Sequence, residues 1–113
     1  MKIKYDFITN SSSTSFLITN LSKTVKTLED FVNENPQLLE AFKLKYQVKD
    51  DDYTIKNMLQ NAKERNIIFP PLEIKQCTFG DEEGDILGAV YDYMLRDGGK
   101  SKSFHWMLHG YNR

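Results

Sequence analysis

The chain has little that would commit it to a chemistry. A single cysteine, Cys77, in 113 residues excludes an internal disulfide framework and any multi-cysteine zinc centre, and suits a reducing compartment. Excess charge is also missing. Fifteen Lys and Arg stand against 16 Asp and Glu, for a formal charge of −1. Neither half of the chain is basic, so the phosphate-neutralising cluster that duplex nucleic-acid binding depends on is not there. No apolar run approaches the roughly 18 residues of a membrane span, and residues 1–6 lack the apolar core of a signal peptide. The expectation is a cytoplasmic protein with no membrane partner. Two histidines and one tryptophan leave few groups for acid-base or stacking roles.

What is present is ordinary for a folded domain: 40% hydrophobic, 12% aromatic and 27% charged residues, well away from the composition of disordered chains. At this length one core and one domain, spanning residues 1–113, are expected. Ile3, Tyr5 and Phe7 alternate with Lys2, Lys4 and Asp6, which predicts a half-buried strand over residues 2–9. A hydroxyl and amide tract, residues 10–15, then separates Phe7 from Phe16-Leu17-Ile18-Thr19. The β-favouring second run predicts a strand over 15–20, with the tract as an exposed loop closing an N-terminal hairpin, residues 2–20.

Residues 24–66 change period. Val25, Leu28, Phe31 and Val32 are spaced by three and four, with Thr27 and Asp30 placed as a capping pair. Asn35-Pro36 suits an N-cap followed by the first helical residue, so a second helix carries Leu38, Leu39, Phe42 and Tyr46 on one face. Ile55, Met58, Leu59 and Ala62 predict a third helix ending near Asn66, with Asp50, Asp51 and Asp52 as carboxylates at its N-terminal end.

The last segment, residues 67–110, reads as strand, helix, strand. Ile67-Ile68-Phe69 meets Pro70-Pro71, a connection or edge because proline cannot donate to a ladder. A strand over 72–79 leads through an acidic loop to a helix over 82–96 closed by Gly98-Gly99. In residues 103–109, Phe104, Trp106 and Leu108 alternate with Ser103, His105, Met107 and His109, a strand with an aromatic core face. The fold class expected is α+β: a small mixed sheet of about four strands, with three to four helices mainly on one face. The C-terminal strand-helix-strand suits a parallel crossover.

Four features carry candidate chemistry. Asn10, Ser11, Ser12, Ser13 and Ser15 offer hydroxyls and backbone amides that could cradle a phosphate, but the tract has neither the glycines nor the lysine of a phosphate loop; an exposed turn or recognition segment suits it better. Asp81, Glu82, Glu83 and Asp85 supply oxygen ligands without the spacing of a calcium loop, and helix capping accounts for them. His105 and His109 on a strand share a face but lie about 13 Å apart, too far to hold one metal between them. Trp106, Tyr91, Tyr93 and Tyr111 could form a stacking platform for single-stranded nucleic acid, though aromatic residues at such spacing usually belong to the core. Asn10-Ser11-Ser12 and Asn20-Leu21-Ser22 match a glycosylation sequon, which without a secretion signal carries no meaning.

The run from Phe7 to Ile18 resembles the Phe-x-x-Asn-Ser-Ser-Ser-x-Ser-Phe signature that opens many uncharacterised small proteins of bacteria, especially clostridia and their relatives, and of their phages. The likeness covers about a tenth of the chain. It implies a bacterial or phage origin, assigns no catalytic residue, and suits a segment that meets a common partner or processing step. The function expected is therefore a non-catalytic protein-interaction module working through the N-terminal hairpin, the acidic loop or both, with another protein as partner and no cofactor. The alternative is a small-molecule or phosphate-handling enzyme with a site built from Asp81, Asp85, His105 and the hydroxyl tract; a weaker one is a single-strand nucleic-acid binder.

Overall fold

A computed structural model describes residues 13–48, 53–80 and 86–112. Its centre is β1 (Ser13–Asn20). After it come β2 (Lys26–Thr27), α1 (Leu28–Glu34), α2 (Pro36–Lys45), α3 (Ile55–Arg65), β3 (Ile68–Phe69), β4 (Ile74–Gly80), α4 (Ile86–Leu95), β5 (Gly99–Lys100) and β6 (Phe104–Asn112). The α+β expectation holds.

Four strands form one sheet in the order β4-β1-β6-β5, and β2 pairs with β3 in a second, two-stranded one. Each of these pairings is antiparallel, where a mixed sheet was expected. β4 and β6 do run parallel to each other across the α4 connection. They are not neighbours, because β1 lies between them and hydrogen-bonds to both. The inserted strand has the composition for the place: its centre, with aromatic Phe16 and β-branched Ile18 and Thr19 around Leu17, fits a pleated surface with partners on both sides.

Side-chain alternation separates two faces. Phe16, Ile18, Cys77, Phe79, Phe104 and Trp106 are buried beneath the helices, between 0% and 5% exposed, and each large apolar group removed from water contributes roughly 1.5–3 kcal/mol. Aromatic geometry fixes how α1 seats: the Phe31 ring meets Phe104 edge-on at 5.2 Å and Trp106 at 5.1 Å. On α4, Tyr91 stacks on Phe79 at 4.7 Å. Gly99 is required by the same packing, since a Cβ there would lie 2.6 Å from the Trp106 ring. The opposite face carries Gln76, Thr78, His105, Met107 and His109, all exposed, and no helix among the described residues packs on it.

Local signals set most element ends. Thr27 and Asp30 form the expected reciprocal capping box, and Asn66 ends α3 in the left-handed conformation. Gly98 closes α4 at φ 71°, its N–H donating to the Leu95 carbonyl at 3.0 Å.

Four expectations are corrected. Val25 precedes α1 and is 59% exposed, because β2 occupies residues 26–27. Asn35 makes no side-chain cap to α2; its amide turns back and donates to Phe31 O at 3.0 Å. The cap of α3 is Thr54, whose hydroxyl accepts from Asn57 N at 3.1 Å, while residues 50–52 lie outside the described residues. β4 starts at Ile74 rather than residue 72, since Leu72 is at φ 58°, incompatible with a strand. The expected strand over 2–9 also lies outside the described residues.

Candidate functional site

The hydroxyl tract is divided by the structure. Asn10, Ser11 and Ser12 lie outside the described residues. Ser13, Thr14 and Ser15 are not the exposed tip of a hairpin but the first residues of β1, at 8%, 1% and 3% exposure. The reason is tertiary: pairing with Gly80, Phe79 and Thr78 on one side and with Asn112, Tyr111 and Gly110 on the other gives their backbone groups ladder partners, which overrides the turn preference of serine. The Ser15 and Thr78 hydroxyls share a hydrogen bond at 3.1 Å. Thr14 points the other way and donates to Asp92 Oδ2 at 3.0 Å. Asp92, 4% exposed, also accepts two hydrogen bonds from Arg96, at 2.9 and 3.1 Å. The Arg96 guanidinium lies 4.3 Å from the centre of the Tyr93 ring. These contacts lock α4 onto the central strand.

His105 and Gly80, the last described residue before the acidic loop, stand at different registers of the sheet. His105 is exposed on β6, opposite Thr19 and Lys100. Gly80, after which the acidic loop begins, pairs with Ser13. Six strand positions, about 20 Å, separate those two registers. Asp81 and Asp85 themselves lie outside the described residues. Of the residues of that candidate enzyme site which are described, Ser13 stands at one end of β1 and His105 opposite the other.

The stacking platform is also dispersed. Trp106 and Tyr91 are buried at 3% and 0% exposure, and Tyr93 packs edge-on against Tyr46 at 5.2 Å. Burial pushes the Tyr46 phenol above its ordinary range; Arg96 pulls it down, while Asp97 and Asp92 push it up. Burial also raises the Cys77 thiol to about 11, against a smaller opposing effect of Lys75. It is a core thiol with little thiolate at neutral pH. No group of three His, Cys, Asp or Glu among the described residues is placed to hold a metal ion.

A feature that sequence reasoning missed is built around Asn20. It is fully buried, and its amide donates to Thr24 O at 2.8 Å and Phe69 O at 3.0 Å. Its Oδ1 accepts from Ser22 N at 2.9 Å and Ser22 Oγ at 2.7 Å. The signal was the Asn-x-Ser spacing itself, which suits an Asx turn, and the buried amide is structural. Asn20 joins the small sheet to the end of β1. Nearby, Asn20 N donates to Glu73 O and Leu72 N to Ser22 O, at 3.0 and 3.1 Å.

At this end the surface turns apolar. Leu21, Leu72 and Ile74 are 37%, 62% and 64% exposed, as are Ile68 at 46% and Val25 at 59%. Leu72 follows Pro70-Pro71 in a turn closed by Glu73 N and Pro70 O at 3.4 Å. Its left-handed backbone suits glycine or asparagine; for a leucine it costs roughly 1–2 kcal/mol.

No helix among the described residues is long and apolar enough to cross a membrane. No family model, curated protein or solved structure matches the chain.

Proposed function

We propose that this chain is a non-catalytic protein-interaction module, and that its contact surface is the apolar end of the sheet centred on Leu72 and Ile74. The observation that carries the reading is Leu72: a leucine in a left-handed turn position with its side chain in water. Strain of this kind is retained where the surrounding structure enforces it, and it concentrates at binding and switch positions. Leu21 and Ile74 extend the apolar surface beside it. Exposed apolar clusters rimmed by polar residues are a feature of protein-protein contacts, and the partner suited to this one is a protein presenting apolar side chains.

A photo-crosslinking residue at position 72 should join the chain to one defined protein in a lysate of the source cell. The double variant Leu72→Asp, Ile74→Asp, melting within a few degrees of the parent, should lose that protein. Retention of the same protein by the double variant overturns the proposal. So does a metabolite that shifts the melting temperature clearly while no protein is captured.

A further inference from the structure

We propose that the partner docks as an added β-strand: an extended peptide segment pairs with the outer edge of β4, its apolar side chain beside Ile74 and its carboxylate beside Lys75. This rests on the reading of the Leu72 and Ile74 surface as a protein contact, and specifies the form the partner takes there.

The two edges of the sheet are built differently. β5 is two residues long and lies in a turn where Ser101 N–H donates to the Phe104 carbonyl at 2.8 Å; an edge so short leaves little to pair with. β4 has seven residues, Ile74–Gly80, in unbroken register with β1 and with no proline among them. Among the described residues no strand pairs with its outer side. A long, regular edge is a ready template for a second chain.

Ladder parity names the groups on offer. Asn20 N–H donates to the Glu73 carbonyl at 3.0 Å, one step beyond the Thr19–Ile74 pair. In an antiparallel ladder, pairs that exchange hydrogen bonds alternate with pairs that do not. Lys75, Cys77 and Phe79 therefore turn their backbone groups to β1, while Ile74, Gln76 and Thr78 turn theirs outward. All three of these outward residues are exposed. Their N–H and C=O groups recur about every 6.6 Å, which alternate residues of an extended peptide match.

Side chains along the edge set the chemistry of the peptide. Ile74, 64% exposed, lies on the helix-free face and continues the apolar surface of Leu72. Lys75 is exposed on the other face, and farther along that face the Arg65 guanidinium stands 5.6 Å from the centre of the Phe79 ring. Neighbours across a ladder interact when they share a face, so an apolar residue suits the first face and Asp or Glu the second. Because successive residues of a strand alternate faces, the apolar and acidic positions fall an odd number of residues apart.

The test selects a displayed library of random twelve-residue peptides on the full chain. Selected peptides should show that odd spacing, and on binding should slow hydrogen exchange at the Gln76 and Thr78 amides. N-methylation of alternate peptide amides should weaken binding about tenfold in one parity and leave it unchanged in the other, the scale of a lost hydrogen bond. Gln76→Pro should lose the peptides while melting close to the parent, since proline is tolerated on an edge where the N–H faces solvent. Lys75→Glu, an exposed change that spares the backbone, should select basic residues in place of acidic ones. The proposal is overturned if no peptide is selected, if bound peptides leave the Gln76 and Thr78 amides exchanging as before, or if Lys75→Glu selects the same sequences as the parent. A free chain that sediments as a dimer with those amides already protected also overturns it, by giving the edge to a second copy. Binding that depends on Leu72 and Ile74 without amide protection rejects the added strand alone and leaves the protein-contact reading standing.

Discussion

Thr14 and Asp92 lie 78 residues apart and are joined by a 3.0 Å hydrogen bond between a threonine of the central strand and a buried carboxylate of α4. Arg96 completes the arrangement from the next turn of the helix. The carboxylate is buried and its oxygens are satisfied by these partners, so removing one donor should be costly. Thr14→Val should lower the unfolding free energy by about 1–2 kcal/mol in urea denaturation. In a double-mutant cycle with Asp92→Asn the two losses should fall short of additivity, as contacting residues do. Additive losses would show that the contact does not couple the strand to the helix.

Glu34 provides a pH-dependent tie between α1 and the β5–β6 connection. Burial alone would raise its carboxyl, but the hydrogen bonds from Ser101 and Ser103, with Lys26 nearby, outweigh that and leave it below the ordinary value. A lowered folded-state value stabilises the fold above the unfolded-state pKa, and the contribution fades as pH falls through the folded value. Melting curves of the parent and Glu34→Gln should therefore differ most near neutrality and converge as the solution becomes more acidic than the ordinary glutamate range.

Leu72→Gly separates stability from contact. Glycine adopts the left-handed region without the leucine's clash, and the variant should gain about 0.5–1 kcal/mol in chemical denaturation. If the apolar end of the sheet binds a protein, the same variant should bind it more weakly, so that affinity falls while stability rises.

Gly99→Ala should act in the opposite sense. Its methyl group meets the Trp106 ring, which is held in turn against Phe31, and overpacking of this kind costs roughly 1–3 kcal/mol. The loss should be accompanied by a change in tryptophan fluorescence, since this chain has one tryptophan.

Cys77 should resist alkylation at pH 7–8 in the folded protein. It is buried, with its thiol pushed up to about 11, so labelling by iodoacetamide should follow the unfolding curve. Fast labelling of folded protein would contradict both its burial and its protonation.

Much of this fold is legible in the sequence, because the relevant signals are local. Leu28, Phe31 and Val32, then Leu39 and Phe42, then Met58 and Ala62, mark buried helix faces, and Phe104, Trp106 and Leu108 mark a half-buried strand. Ser13 to Ser15 mislead because hydroxyl residues suggest a turn, whereas their state is set by β4 and β6, strands far along the chain. The distance of His105 from Gly80 is likewise a matter of register, which no periodicity reports. Leu72 escapes notice for a different reason: a leucine after two prolines looks like the start of a strand, and only the backbone angle shows otherwise.

The place of β1 at the centre of the sheet also constrains the order in which the protein can be made. Its partners are residues 74–80 and 104–112, and of the three pairings in the four-stranded sheet only β5–β6 is local. Loop closure over such separations slows folding. During synthesis, which runs at about 5–20 residues per second, β1 emerges first and waits several seconds for β6. Through that interval β1 lacks the partner strand on its β6 side, and Phe104 and Trp106 are missing from the core around Phe16 and Ile18. A ribosome-stalled chain ending before residue 104 should therefore be readily cleaved by protease within β1, and chains extended well past residue 112 should become resistant.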